Sequence, residues 1–242
     1  MRAVESTQNR TDSHPIAPTW HTAGVILLLL GLVALSMHLS GGDRVGLTHH
    51  RIQGYIVTLT AESLIVAFIW LGARWQGATL RTLAGGNSPR WRSIARDLGL
   101  AVAFLVAANV ILAILSHVLG RLMPVATNEA LENLLPHSRL EIAAFLLLAL
   151  TAGICEEMIF RGYLQRQFTA WTKNAAAGIA AQAIAFGLAH AYQGSAQMMI
   201  IAVYGCMFGL LAYWRGSLRP GMIAHFLQDG VGGLLFARYL LK

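Results

Sequence analysis

Long apolar runs, interrupted at intervals by short polar stretches containing glycine, proline or arginine, dominate this chain. A helix that crosses the hydrocarbon core of a bilayer needs roughly 20 predominantly apolar residues. Seven stretches come near that length: 22–39, 55–72, 98–119, 142–160, 175–190, 196–213 and 220–240. The pattern predicts an all-α fold, a polytopic transmembrane helix bundle of about seven spans, with six to eight compatible with the boundaries. Residues 1–20 are polar, carry Pro15 and Pro18, and read as a disordered cytoplasmic tail rather than a signal peptide. Residues 21–139 then form N-terminal membrane helices and loops, and 140–242 a C-terminal helix core. Segment 120–141, with Pro124, Glu129, Glu132 and Pro136, reads as an external loop with a short amphipathic helix, a re-entrant element being the alternative.

Composition agrees with this pattern. Of 242 residues, 56% are apolar and 12% charged, and the mean hydropathy is +0.56. Those values exclude a disordered chain and argue against a water-soluble globule, whose charged fraction is about a quarter. Cys155 and Cys206 both sit in apolar runs, so they do not suggest a disulfide scaffold. The net charge of +7 has a topological explanation that needs no nucleic acid. Basic loops are retained on the cytoplasmic side, and the loop with Arg74, Arg81, Arg90, Arg92 and Arg96 sets the orientation. Twelve of the 18 basic residues then lie inside, with the N-terminus cytoplasmic, as expected of an integral protein of the plasma membrane.

Ionisable side chains at bilayer depth are costly and are functional candidates by default. They are Glu62, His117, Glu156 and Glu157 with Arg161, His190, and His225 with Asp229. Residues four apart share one helix face, so Glu157 can pair with Arg161, leaving Glu156 on a different face, available to water, a proton or a metal. His225 and Asp229 likewise share a face. Phe186 lies one turn before His190, and Gly187 allows a neighbouring helix to approach. Glu62 reads as an inward structural carboxylate, with a place on the substrate path as the alternative. Gly205 and Gly209 read as a packing groove. With a turn near Thr172, Glu156 and His190 fall level, roughly 24–27 Å from it. The four polar side chains then meet below the cytoplasmic face if the hairpin protrudes by ~13 Å, with Arg166, Gln167, Lys173 and Asn174 at its tip.

Three ordered motifs carry a resemblance. Glu156-Glu157-Met158-Ile159-Phe160-Arg161, followed by Gly162, is similar to an EExxxR motif; Phe186 to His190 resembles FxxxH; His225 to Asp229 resembles HxxxN or HxxxD. Together they resemble the CAAX protease and bacteriocin-processing (Abi) family, which includes the type II CAAX prenyl endopeptidases. The likeness covers about residues 140–240, and the first 140 residues match only as generic spans. It implies an intramembrane endopeptidase acting on a membrane-associated protein or peptide. Glu156 and His190 would activate a water, His225 would donate to the oxyanion and Asp229 would orient it, with Glu157, Arg161 and Phe186 as structural support.

The prenyl endopeptidases carry Asn where this chain has Asp229, and an ionised carboxylate cannot donate to an oxyanion. An orienting role therefore suits Asp229 better. Glu156, His190, His225 and Asp229 are also a sufficient donor set for zinc, although HExxH is absent; metal-free catalysis is the reading taken, with zinc as the alternative. Two other classes compete: a non-proteolytic membrane scaffold or bacteriocin-immunity protein of the same fold, and a proton-coupled transporter, which would show broken helices or repeated halves.

Overall fold

The computed structural model of the chain describes residues 14–41, 51–85, 91–123 and 134–240. The elements are helices α1 (Thr19–Gly41), α2 (Arg51–Trp75), the short α3 (Leu80–Leu83), α4 (Trp91–Leu122), α5 (Arg139–Glu156), α6 (Gln165–Thr172), α7 (Ala175–Ala189), α8 (Ser195–Arg215), α9 (Arg219–Phe226) and α10 (Gly233–Leu240). A π-helical segment, Glu157–Leu164, joins α5 to α6, and another, Leu227–Gly232, joins α9 to α10. No strand occurs among the described residues. The fold is an all-helical bundle, as the apolar runs predict.

Five helical stretches are long and apolar enough to cross a membrane: Thr19–His38, Arg51–Trp75, Trp91–Leu122, Arg139–Thr172 and Ser195–Arg215. The expected spans at 175–190 and 220–240 are helical but fall outside that group among the described residues. α7 has 15 residues and reaches only ~22 Å, whereas the rod Arg139–Thr172 has 34 and reaches ~51 Å. The fourth span thus runs twelve residues past its expected end at 160.

Local chemistry sets these boundaries. Ser138 caps α5 by accepting from the Glu141 N–H, and Asn174 caps α7 by accepting from Ala177. Lys173, at φ 55°, makes the sharp turn between α6 and α7, where the sequence places it near Thr172. Gly216 ends α8 in the left-handed region, and Pro220 opens α9.

α7 packs between α6 and α8, while α5 packs against α2 and α9, and α9 against α4. All eight residues of Glu157–Leu164 are buried, contacted by α2, α3, α7 and α8. The π segment is therefore the centre of the bundle, and everything polar on it must find a partner inside the protein. The expected groove on α8 holds that polar material. The Gly205 carbonyl accepts from Arg161 Nη2 at 3.2 Å and from Gln182 Nε2 at 2.9 Å, and the Gly209 carbonyl accepts from Gln165 Nε2 at 3.1 Å. A Cβ at Gly209 would lie 2.6 Å from Gln182 Nε2.

Part of the expected tail is packed into this body. Ile16 and Ala17 are buried; the Ile16 N–H donates to Gln167 Oε1 at 3.0 Å, and Gln167 Nε2 donates to the Ala17 carbonyl at 2.8 Å. Gln167, expected at an exposed hairpin tip, is fully buried. The physical reason is reciprocal: residues 16 and 17 expose backbone donors and acceptors to an apolar groove, and one amide satisfies both. Residues 1–13 lie outside the described residues, as do 124–133, where a short amphipathic or re-entrant helix is expected, and Arg44, His49, His50 and Arg90.

At one end of the bundle, Asp97 is fully buried and receives Arg215 Nη2 at 2.7 Å and Arg219 Nε at 2.7 Å. The Leu218 N–H donates to the Ala84 carbonyl at 3.1 Å, and Arg166 Nη1 donates to Thr82 O at 3.0 Å. Arg215 and Arg219, assigned to one side by charge, therefore share one carboxylate at the start of α4. Asp97→Ala leaves two guanidinium groups half-buried beside each other; the expected result is a thermal midpoint lower by about 1–3 kcal/mol equivalent, with membrane insertion unchanged, read by thermal unfolding in detergent.

Candidate active site

The α5–π junction determines which carboxylate faces which way. Glu156 is the last residue of α5 and Glu157 the first of the π segment, and π turns recur at functional sites because they re-aim side chains within a helix. Glu157 accepts from Arg161 Nη1 at 2.9 Å, so the expected pair is present in π as well as in α geometry. Both side chains are completely shielded. The guanidinium also lies 4.3 Å from the Phe186 ring centroid and 4.9 Å from that of Phe208, an aromatic cage that stabilises a desolvated cation.

Glu157 has a second partner that the motif spacing does not reveal. His225 Nδ1 donates to the same Oε1 at 3.2 Å. The ring is held between Phe208, stacked at 5.3 Å and 27°, and Phe186, edge-on at 6.1 Å. Gly221 makes this approach possible, since a Cβ there would lie 2.9 Å from Glu157 Oε2. With Nδ1 committed, Nε2 is the nitrogen that faces the remaining carboxylates: Asp229 Oδ2 at 3.4 Å and Glu156 Oε2 at 3.6 Å. The expected His225–Asp229 pairing is therefore present, across the start of the second π segment.

Burial falls steadily through this cluster. Arg161, Glu157 and His225 are buried, the Glu156 side chain is 17% exposed and that of Asp229 42%. A dry base of paired side chains thus supports a more open set of acceptors, although Glu157 Oε2 and Arg161 Nε have no hydrogen-bond partner of their own. Glu156 Oε2 is itself buried with no hydrogen-bond partner.

His190 is the C-cap of α7, not an interior residue of a span. Its Nδ1 lies 2.9 Å from the Phe186 carbonyl; a carbonyl only accepts, so Nδ1 carries a proton, and in the neutral ring Nε2 is the nitrogen that keeps its lone pair. No direct hydrogen bond or ion pair links His190 to Glu156. Phe186 connects them indirectly, packing against His190 at 4.9 Å and His225 at 6.1 Å between ring centroids. Gly187 plays its expected part: a Cβ there would meet the Met198 carbonyl at 2.7 Å, so α8 can close on α7.

Glu62 joins the cluster from α2. It lies within electrostatic reach of Glu156, His225 and Asp229, and its Oε2 is buried without a hydrogen-bond partner. Of its two sequence readings, the inward-facing one describes its position, but its neighbours are site carboxylates rather than a structural partner. His117, by contrast, is exposed on α4 and takes no part. Tyr192, in the one-turn 3₁₀ helix Ala191–Gln193, stacks on His190 at 6.2 Å and 27°, within reach of Glu156, Asp229 and Glu62. Sequence reasoning passed over Tyr192; its place two residues after the motif histidine was the available signal.

Among the described residues no three His, Cys, Asp or Glu side chains are disposed to hold one ion. Both nitrogens of His225 face carboxylates, and Nδ1 is spent on Glu157.

Comparison with known proteins agrees with the motifs. Residues 138–231 match the family described as type II CAAX prenyl endopeptidase Rce1-like. The resemblance to that family holds over this segment, which contains all three motifs. A protein of Bacillus subtilis (strain 168), described as uncharacterized protein YpbD, is 32% identical over 96 residues, or 39% of this chain. The match spans 46% of that relative's length, so less than half of it has a counterpart here. No solved structure matches.

Proposed function

We propose that this protein is an intramembrane endopeptidase that hydrolyses a peptide bond in a membrane-associated protein or peptide, with the reaction centre open to the cytoplasmic side. What supports this reading is a Glu156 Oε2 that is buried without a hydrogen-bond partner, in a motif followed by His190, whose Nδ1 is held by the Phe186 carbonyl so that Nε2 is the nitrogen left to meet a water. A water has two hydrogens to give, one to each acceptor, and then presents its own lone pair to a carbonyl carbon. Glu156 takes the proton as general base, and His190 orients the water.

His225 supplies an oxyanion donor through Nε2. Its distances of 3.4 and 3.6 Å to Asp229 and Glu156 are loose, so this N–H can turn to a developing negative charge without breaking a short bond. Asp229 keeps it in place from one side, and Glu157, anchored by Arg161, from the other. Match of residues 138–231 to a prenyl endopeptidase family supports the reaction class. Cleavage proceeds without a metal in this reading.

The test compares peptide termini in cells carrying the wild-type protein and cells carrying Glu156→Ala at matched membrane levels. Termini produced only by the wild type are the expected result and identify the substrate. Identical termini would replace the protease reading with that of a scaffold.

A further inference from the structure

We infer that Tyr192 is a second oxyanion donor of this site, its phenolic O–H acting beside His225 Nε2; the assignment rests on the endopeptidase reading. Oxyanion stabilisation depends on fixed donors aimed where charge develops, and donors on the open side of this cluster are scarce. Glu62, Glu156 and Asp229 only accept when ionised. Arg161 lies behind Glu157 and donates to it and to the Gly205 carbonyl. Gln165 and Gln182 donate to the carbonyls of Gly209 and Gly205. His225 has one nitrogen left.

Tyr192 meets the requirement. Gln193 Nε2 donates to its phenolic oxygen at 3.1 Å, which leaves the hydroxyl hydrogen without an acceptor among the described residues. An O–H whose oxygen already accepts a hydrogen bond is polarised and donates more strongly. The ring is fixed by stacking on His190. The turn that carries it is closed by Gln193 N–H to the His190 carbonyl and Gly194 N–H to the Ala191 carbonyl, both at 3.0 Å. Tyr192 therefore cannot drift from the histidine that holds the water. The acidic groups that act on it electrostatically, Glu156, Asp229 and Glu62, include the proposed general base.

The step balances as follows. The water oxygen bonds to the carbonyl carbon while its proton passes to Glu156; the carbonyl electron pair moves onto oxygen, where Tyr192 O–H and His225 Nε2–H donate without transferring their protons. Collapse restores the carbonyl and breaks the C–N bond, and the proton held by Glu156 goes to the leaving nitrogen.

Tyr192→Phe deletes this hydroxyl and nothing else. The probe is a synthetic peptide containing a terminus found to depend on Glu156, cleaved by the full chain in phosphatidylcholine vesicles. The expected result is a kcat lower by about 10²–10³-fold, with KM within about twofold and the thermal midpoint unchanged. Gln193→Leu, which removes only the polarising contact, gives a smaller fall in kcat. Cleavage by Tyr192→Phe at the wild-type kcat, while Glu156→Ala is inactive, overturns the Tyr192 assignment alone. A loss confined to KM or to stability also overturns it, because a packing residue acts there. If no terminus depends on Glu156, the endopeptidase reading fails first and takes this assignment with it.

Discussion

Exchange of Glu156 for glutamine lowers the rate of peptide cleavage by about 10²–10⁴-fold, the span attributable to a lost general base, and leaves the folded protein at least as stable as the wild type. The two halves of this expectation have separate origins. Gln has the shape of Glu but cannot take a proton from water, so the chemical step loses its base. Stability does not fall, because Glu156 Oε2 has no hydrogen-bond partner to lose and its nearest cation, His225 Nε2, is 3.6 Å away. Removing one carboxylate from a cluster that also holds Glu62 and Asp229 relieves like-charge repulsion. Single-turnover cleavage and thermal unfolding, measured on the same vesicle preparation, check both halves. A fall in activity matched by a fall in midpoint would assign Glu156 to the scaffold.

Arg161→Leu has the opposite signature. It removes a fully buried guanidinium from Glu157, from the Gly205 carbonyl and from two aromatic faces. The carboxylate left behind is buried and keeps only His225 Nδ1, at 3.2 Å; breaking its pair with Arg161 costs about 3–5 kcal/mol, a large part of the stability of an ordinary domain. The double variant Arg161→Leu with Glu157→Gln no longer contains a buried carboxylate deprived of its guanidinium and is expected to recover much of that loss. It does not recover activity, because Glu157 also holds His225 Nδ1. Thermal midpoints and cleavage rates of the two singles and the double make the test; equal recovery of both quantities would restrict Glu157 to a structural role.

Local periodicity explains which parts of the site were legible. Glu157 with Arg161, and His225 with Asp229, are four residues apart, and a helix brings such residues together whatever surrounds it. The hairpin turn at Lys173 and the groove at Gly205 and Gly209 follow from equally local chemistry. Asp97 was not legible as a clamp: it stands just ahead of an apolar run, and its partners Arg215 and Arg219 lie more than a hundred residues away. Separations of about 150 residues hid the contact of Ile16 and Ala17 with Gln167, and one of 94 residues hid the nearness of Glu62 to Glu156. Apolar periodicity cannot register a π turn either, since Glu157–Leu164 is buried on all sides and has no polar face to mark its phase.

The amino-acid order by itself determined that this is a helical membrane protein, where most of its helices lie, and which three motifs carry its family resemblance, because hydrophobic run length and four-residue spacing act within one segment. The tertiary structure alone decided that Glu157 supports His225 as well as Arg161, that His190 stands at a helix end with Tyr192 stacked on it, and that Glu62 faces the site from α2. These are contacts between helices, whose partners are chosen by packing of the whole bundle and leave no periodic trace in any one of them.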